Sequence, residues 1–378
     1  MGKTALTVAL TMVCLLLFVG PAAADEVFDY DGAYGFKDGL AQVKKNGKWG
    51  YIDSAGRVVI PIQYDNVGSF SEGLAAVKLN GKCGYIDNAG RVVIPVQYDN
   101  ADSFSEGLAR VRLNDKWGFI DKSGKEAIAP QYDLAASFSD GLAKVAVKYK
   151  YGYIDKAGQT VIPLRYDHAL NFTDGLAAVL LNDKWGFVDK SGQEVIGLQY
   201  HSVAPFSEGL AMVENVGKYG YIDKTGKVIV PLKHHTAQLL FKEGLAAVHL
   251  FSKEGLAYVD LSGKWGFVDK TGQELIGFRY DKAGPFSEGL APVKIGDKWG
   301  YIDKTGKEMV ACKYDFAGPF TEGLAAVKVS DKWGFVDKNG IEVVALTYDD
   351  AWPCGEGLAP VKLNGKWGYI HPVGTNAP

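Results

Sequence analysis

The dipeptide Gly-Leu recurs at Gly39, Gly73, Gly107, Gly141, Gly175 and Gly209 with a strict spacing of 34 residues. It then recurs at Gly244, and the 34-residue step resumes from Gly255 through Gly289, Gly323 and Gly357. Around it the chain repeats Y-D-x-A-x-x-F-S-E-G-L-A-x-V-x-L-N-x-K-W-G-F/Y-I/V-D-K-x-G-x-x-V-I-P ten times, with one insertion of eleven residues, Glu243 to Lys253. A period in this range is the mark of an array whose units complete their cores against their neighbours. A catalytic centre is built once, so a phrase repeated down a whole chain specifies architecture before chemistry.

The unit reads as three short strands. Leu74 to Leu79 leads into Asn80-Gly81, the strongest two-residue hairpin signal, repeated at Asn46-Gly47 and Asn364-Gly365 and varied at Asn114-Asp115. Lys82 to Asp87 follows and ends in D-x-x-G, where the carboxylate caps a turn and Gly takes positive φ. The third strand contains Pro95, which marks a sheet edge or a strand end. With 47 glycines, 14 prolines and 12% aromatic residues, the composition agrees with short strands and tight turns. The slot that reads "DKTGK" at Asp223 and Asp303 reads "DSAGR" and "DKSGK" elsewhere, so its task is turning, not phosphorylation.

The phrases "KWGFIDKSGKE" and "FSEGLAAV" resemble the WG-containing repeat family of bacterial proteins. That resemblance covers essentially the whole chain after the first residues. It implies an all-β repeat protein that serves as an interaction module, without catalytic residues to carry over. The expected fold is a tandem array of ten three-stranded units stacked as an open solenoid or superhelix. A closed, propeller-like ring is the alternative, because the last unit stops after "KWGYIHPVG" and "DEVFDYD", residues 25 to 31, could supply its missing strand.

A two-residue turn fixes which residues face each other. Val77 should pair with Gly84 and Ala75 with Ile86 on a small apolar face, with Lys78 opposite Cys83 and Ala76 opposite Tyr85 on the other. Followed through the copies, the second face sets Lys44 against Trp49, Arg112 against Trp117, Lys294 against Trp299, Lys328 against Trp333 and Lys362 against Trp367. A cation over Trp is a favourable pair. Trp185 faces Leu180 and Trp265 faces Asp260 as exceptions. The face reads either as an aromatic ladder between units or as a basic-aromatic groove for a glycan or anionic polymer.

Functional expectations follow from this frame. The chain reads as a non-enzymatic binding or scaffold protein that holds an envelope or extracellular protein, with glycan or anionic-polymer binding as the alternative and a hydrolase around residues 201 to 260 as a third reading. His201 and His235 share one slot in adjacent copies, with His234 beside the second and His249 in the insertion, but no metal spacing joins them, so neither a metal nor a cofactor is expected. His234, His235 and His249 join the Lys–Trp pairs as candidate ligand contacts. A net charge of −3 gives no pull toward nucleic acid.

Residues 1–24, with Lys3, an apolar run and "PAAAD", read as a signal peptide, leaving 25–378 as an exported repeat domain without a membrane span, in the periplasm, at the cell surface or secreted. Cys83 and Cys354 occupy aromatic slots as packing substitutions, and Cys312 could pair with Cys354. Residues 234 to 260 are expected to form an extended hairpin protruding from the array.

Overall fold

The computed structural model describes residues 29–237, 240, 242–250 and 263–372. Ten antiparallel sheets follow one another along the chain. In the third, Asn100–Ala101, Leu108–Leu113, Lys116–Asp121 and Glu126–Tyr132 pair in that order. Nine units are therefore four-stranded, and the last, Asp350–Ala351, Ala359–Leu363 and Lys366–Ile370, has three strands. The strand that sequence alone did not resolve is the two-residue piece after "YD", which pairs with the far end of the second strand, Val67 with Val77 and Asn66 with Lys78.

Turn chemistry sets the expected register residue for residue. Leu79 pairs with Lys82, Val77 with Gly84, Ala75 with Ile86, Lys78 with Cys83 and Leu74 with Asp87. Asn80 and Gly81 both have positive φ, 51° and 81°, as a type I′ turn requires. Asp87 Oδ1 accepts from the backbone N–H of Ala89 and Arg91, closing the D-x-x-G turn. The Pro-bearing strand lies at the edge of each four-stranded sheet, as its proline demands.

The glycine of Trp-Gly has a steric cause. A Cβ at Gly118 would lie 2.5 Å from the Ile128 carbonyl oxygen and 2.6 Å from the Pro130 nitrogen, and the glycines at 50, 84, 152, 186, 220, 266, 300 and 334 meet backbone equally closely. The fourth strand crosses over this glycine, and the register breaks there, between Trp117 and Phe119. Only a residue without a side chain admits that crossing.

The core lies between sheets. Tyr85 and Tyr98 of the second blade pack with Phe104, Ala109, Val111 and Ile120 of the third. At successive junctions the aromatic after Trp-Gly meets the Phe of "FSEG": Tyr85–Phe104 at 5.0 Å, Phe119–Phe138 at 4.9 Å, Tyr301–Phe320 at 4.7 Å. Tyr301 and Tyr153 also donate their hydroxyls to the next blade's backbone, at 2.6 Å from the carbonyls of Gly318 and Leu170. This is the aromatic ladder between units that the hairpin register allowed.

The array is closed, not an open solenoid. Tyr30 and Trp367 exchange both backbone hydrogen bonds, at 3.2 and 2.8 Å, so Tyr30 takes the place on the last blade that Tyr64 takes on the first. Tyr369 donates to the Tyr34 carbonyl at 2.6 Å and the Gly39 N–H donates to Glu356 at 2.9 Å, repeating at the seam the contacts of interior junctions. An open stack would leave an aromatic face uncovered at each end; joining them buries both.

Three further expectations are corrected. Trp265 pairs with His249, not Asp260, because Leu245–Leu250 forms the strand against Lys264–Asp269, so the chain uses the first of its two "EGLA" copies. Residues 234–237 and 245–250 belong to blades and do not protrude; 251–260 lie outside the described residues. Cys83, Cys312 and Cys354 are free thiols, with Cys83 and Cys354 buried in packing positions.

Candidate functional site

Two kinds of polar latch join neighbouring blades. In the first, the Lys before Trp-Gly reaches the Asp of "YD" on the following blade: Lys48–Asp65 and Lys82–Asp99 at 2.5 Å, Lys150–Asp167 at 2.6 Å, Lys332–Asp349 at 2.8 Å, with Lys116–Asp133, Lys264–Asp281 and Lys298–Asp315 also in contact. The second carboxylate oxygen accepts from the hairpin turn, as Asp65 does from the Gly81 N–H at 3.2 Å. The Lys48 ammonium, and then the turn N–H, hold the Asp65 carboxyl below the usual carboxylate range. In the second latch the acid of "SEG" accepts from the next blade's glycine N–H and a lysine, as Glu243 does from Gly289 at 3.0 Å and Lys304 at 3.0 Å.

Two consecutive junctions depart from this pattern. His201 stands where Asp would be, its Nε2 2.9 Å from Lys184 Nζ and its Nδ1 3.2 Å from the Val216 N–H. His235 does the same with Lys218 Nζ at 2.5 Å. The same-slot histidines are therefore structural substitutes in neighbouring latches. His234 sits in the Tyr slot, opposite Tyr219, fully buried and stacked on Phe278 at 6.0 Å. Burial, followed by nearby Lys233, lowers its pKa to about 4, so it is neutral. His249 pairs through its backbone with Trp265 and Thr236. Among the described residues no three His, Cys, Asp or Glu side chains gather as a metal site.

All five Lys/Arg–Trp pairs stand opposite one another in register. The Trp rings turn into the blade junctions, where Trp117 and Trp367 are buried and Trp49, Trp299 and Trp333 half-buried. Lys44 lies over Trp49, 5.6 Å from the ring centre. Trp117 is instead covered by Arg110, at 4.7 Å, and Lys328 turns to Asp331 at 2.8 Å. The pairs are thus distributed one per blade and do not merge into one pocket.

Two features escaped the sequence reading. Val58, Val59, Val92 and Val93, at the start of the edge strands of the first two blades, are 37–57% exposed. Five other copies open this strand with Glu, at 126, 194, 274, 308 and 342, so the missing charge was the available signal. The second is an aromatic pair at the seam, Tyr34 and Trp352, whose rings meet at 6.2 Å.

Ten blades, nine of four strands and a last of three that Tyr30 completes by its bridge to Trp367, close into a ring and define a ten-bladed β-propeller. Ten stretches, running consecutively from 28–49 through 219–250 and from 265–299 through 333–367, match the WG-containing repeat, and the chain belongs to that family. The matched unit runs from one Trp slot to the next, so each sequence repeat spans the second half of one blade and the first half of the next. No curated protein matches the chain by sequence. Among solved structures it is similar to a eukaryotic initiation factor, at 13% identity over 76% of this chain and 88% of that one, TM-score 0.48. It is also similar to PorZ, a surface component of the type-IX secretion system of Porphyromonas gingivalis, at 10% identity over 93% and 58%, TM-score 0.29.

Proposed function

We propose that this protein is a non-catalytic, exported scaffold that binds a protein partner through the rim of its first two blades. The observation that carries the reading is the four-valine patch. Exposed aliphatic side chains at the same rim position of two neighbouring blades offer a protein partner apolar contacts. Charges flank it: Arg57 and Arg91, each latched to the Asp of its own turn, at 2.7 and 2.6 Å, leave four-fifths of their side chains open. The partner suited to this surface is apolar at its centre with carboxylates at its edge. The apolar segment at residues 1–24 supports export.

The test is a pull-down from envelope extract with the wild-type chain and with Val58→Asp/Val92→Asp, both substitutions lying on exposed strand positions. A partner held by the wild type and lost from the variant supports the reading. A partner held equally by both removes the patch as the site.

A further inference from the structure

We infer that the seam between the last and first blades carries a carbohydrate-binding site, with the rings of Tyr34 and Trp352 as its stacking surface. One slot of the repeat, the fourth residue counted from the Asp of "YD", sets the two ends of the chain apart. Around the ring that slot holds Tyr34, Gly68, Asp102, Ala136, Leu170, Ala204, Gln238, Gly284, Gly318 and Trp352. The first and last copies alone are aromatic, and ring closure makes these two copies neighbours.

Their rings meet at a centroid distance of 6.2 Å and an interplanar angle of 69°. Each is backed by the Trp of its own blade: Tyr34 stacks on Trp49 at 5.5 Å and 20°, and Trp352 lies 6.4 Å from Trp367. The result is a continuous strip, Trp49–Tyr34–Trp352–Trp367, anchored at both ends in blade junctions and open in the middle. Tyr34 is 46% and Trp352 47% exposed.

Closing the ring does not require this pair. The Lys366–Asp31 and Glu356–Gly39 latches already reproduce the joints found elsewhere, where the slot holds no aromatic residue. Two large rings fixed side by side and half open to water stabilise the fold less than the same rings buried would. They do form a rigid apolar platform.

Tyr34 also lines a cleft of about 390 Å³ between the first and second blades, with Lys37, Gln42, Asn66 and Ser69 among its other walls. That volume lies in the range of small-molecule sites, roughly 300–1,000 Å³. Gln42 Nε2 of the first blade donates to Ser69 Oγ of the second at 3.1 Å, so amide and hydroxyl groups are held facing one another. A pyranose ring has an apolar C–H face for the aromatic rings and a rim of hydroxyls that both donate and accept, matching an amide and a hydroxyl better than a uniformly charged ligand would. The site is separate from the valine patch, and the two proposals stand or fall independently.

The test is calorimetric titration of the full chain with hexasaccharides of N-acetylglucosamine, of glucose and of mannose. At least one should bind. Trp352→Leu and Tyr34→Leu keep an apolar contact across the seam but remove a ring face, and each should weaken binding roughly tenfold, the scale of one lost stacking contact. Phe316→Leu, which removes an exposed ring on the ninth blade, and Val58→Asp/Val92→Asp should leave binding unchanged. Independently of any variant, the bound sugar should protect Trp352 from N-bromosuccinimide oxidation. Absence of binding to all three sugars, equal binding by both leucine variants, or an unprotected Trp352 would overturn the site.

Discussion

Lys366 and Asp31 stand 335 positions apart, yet Lys366 Nζ lies 2.5 Å from Asp31 Oδ1, the distance that separates Lys48 from Asp65 only 17 positions on. One junction geometry therefore serves between sequence neighbours and between the chain's two ends. The Lys366 ammonium lowers the Asp31 carboxyl below its ordinary range, as the corresponding lysine does at interior latches. A zero-length carbodiimide couples lysines to carboxylates in ion-pair contact. Mass spectrometry should find Lys366 joined to Asp31 alongside Lys48 joined to Asp65. An interior cross-link without the terminal one would mean that the ring is open in solution.

The steric reading of Trp-Gly makes a sharp comparison. Gly118→Ala drives a Cβ into the Ile128 carbonyl and should cost about 2–3 kcal/mol or more through overpacking. Gly197→Ala, whose Cβ would have nothing within 4 Å, should be close to neutral. Urea denaturation of the two variants decides it; equal midpoints would refute the clash.

Val216 occupies the first turn position of its hairpin at φ 51°, where other copies place Asn. A β-branched residue is strained in the left-handed region. Val216→Asn should stabilise the protein by roughly 1 kcal/mol, read as a higher melting temperature. An unchanged or lower melting temperature would show that the turn holds no such strain.

His234 gives a pH dependence of definite sign. Its folded pKa is depressed to about 4, below the ordinary value of 6.5, so the unfolded chain binds the extra proton first. Stability is then undiminished above pH 6.5 and falls as the pH drops toward 4, by about 2 kcal/mol at pH 5 from this group. His234→Tyr restores the residue of the other copies and should flatten that part of the profile between pH 7 and 5. A wild-type slope retained in the variant would place the sensitivity elsewhere.

Because Leu250 pairs with Lys264, deleting residues 251–261 leaves Ser262-Gly263 as a two-residue hairpin turn. The melting temperature should be unchanged within a few degrees. A collapse in stability would mean that the inserted stretch contributes to the core.

The sequence alone determined the hairpins. Asn80-Gly81 fixes the pairing of Leu74–Leu79 with Lys82–Asp87, and D-x-x-G caps its own turn, because these interactions lie within a few residues and depend on local φ/ψ preferences. It also made the all-β repeat architecture legible, through the 34-residue period. Tertiary structure decided what depends on contacts between units. The short strand after "YD" exists only because the preceding blade delivers it, and the "YD" aspartates serve the neighbouring lysine as much as their own turn. Of the two "EGLA" copies, local propensity favours neither; packing selects Leu245–Leu250. Closure is the clearest case. Whether ten units form a stack or a ring depends on a small rotation accumulated at every junction, and no single repeat carries that angle. It becomes visible only where Tyr30 meets Trp367, and with it the pairing of Tyr34 and Trp352, which sequence distance kept apart.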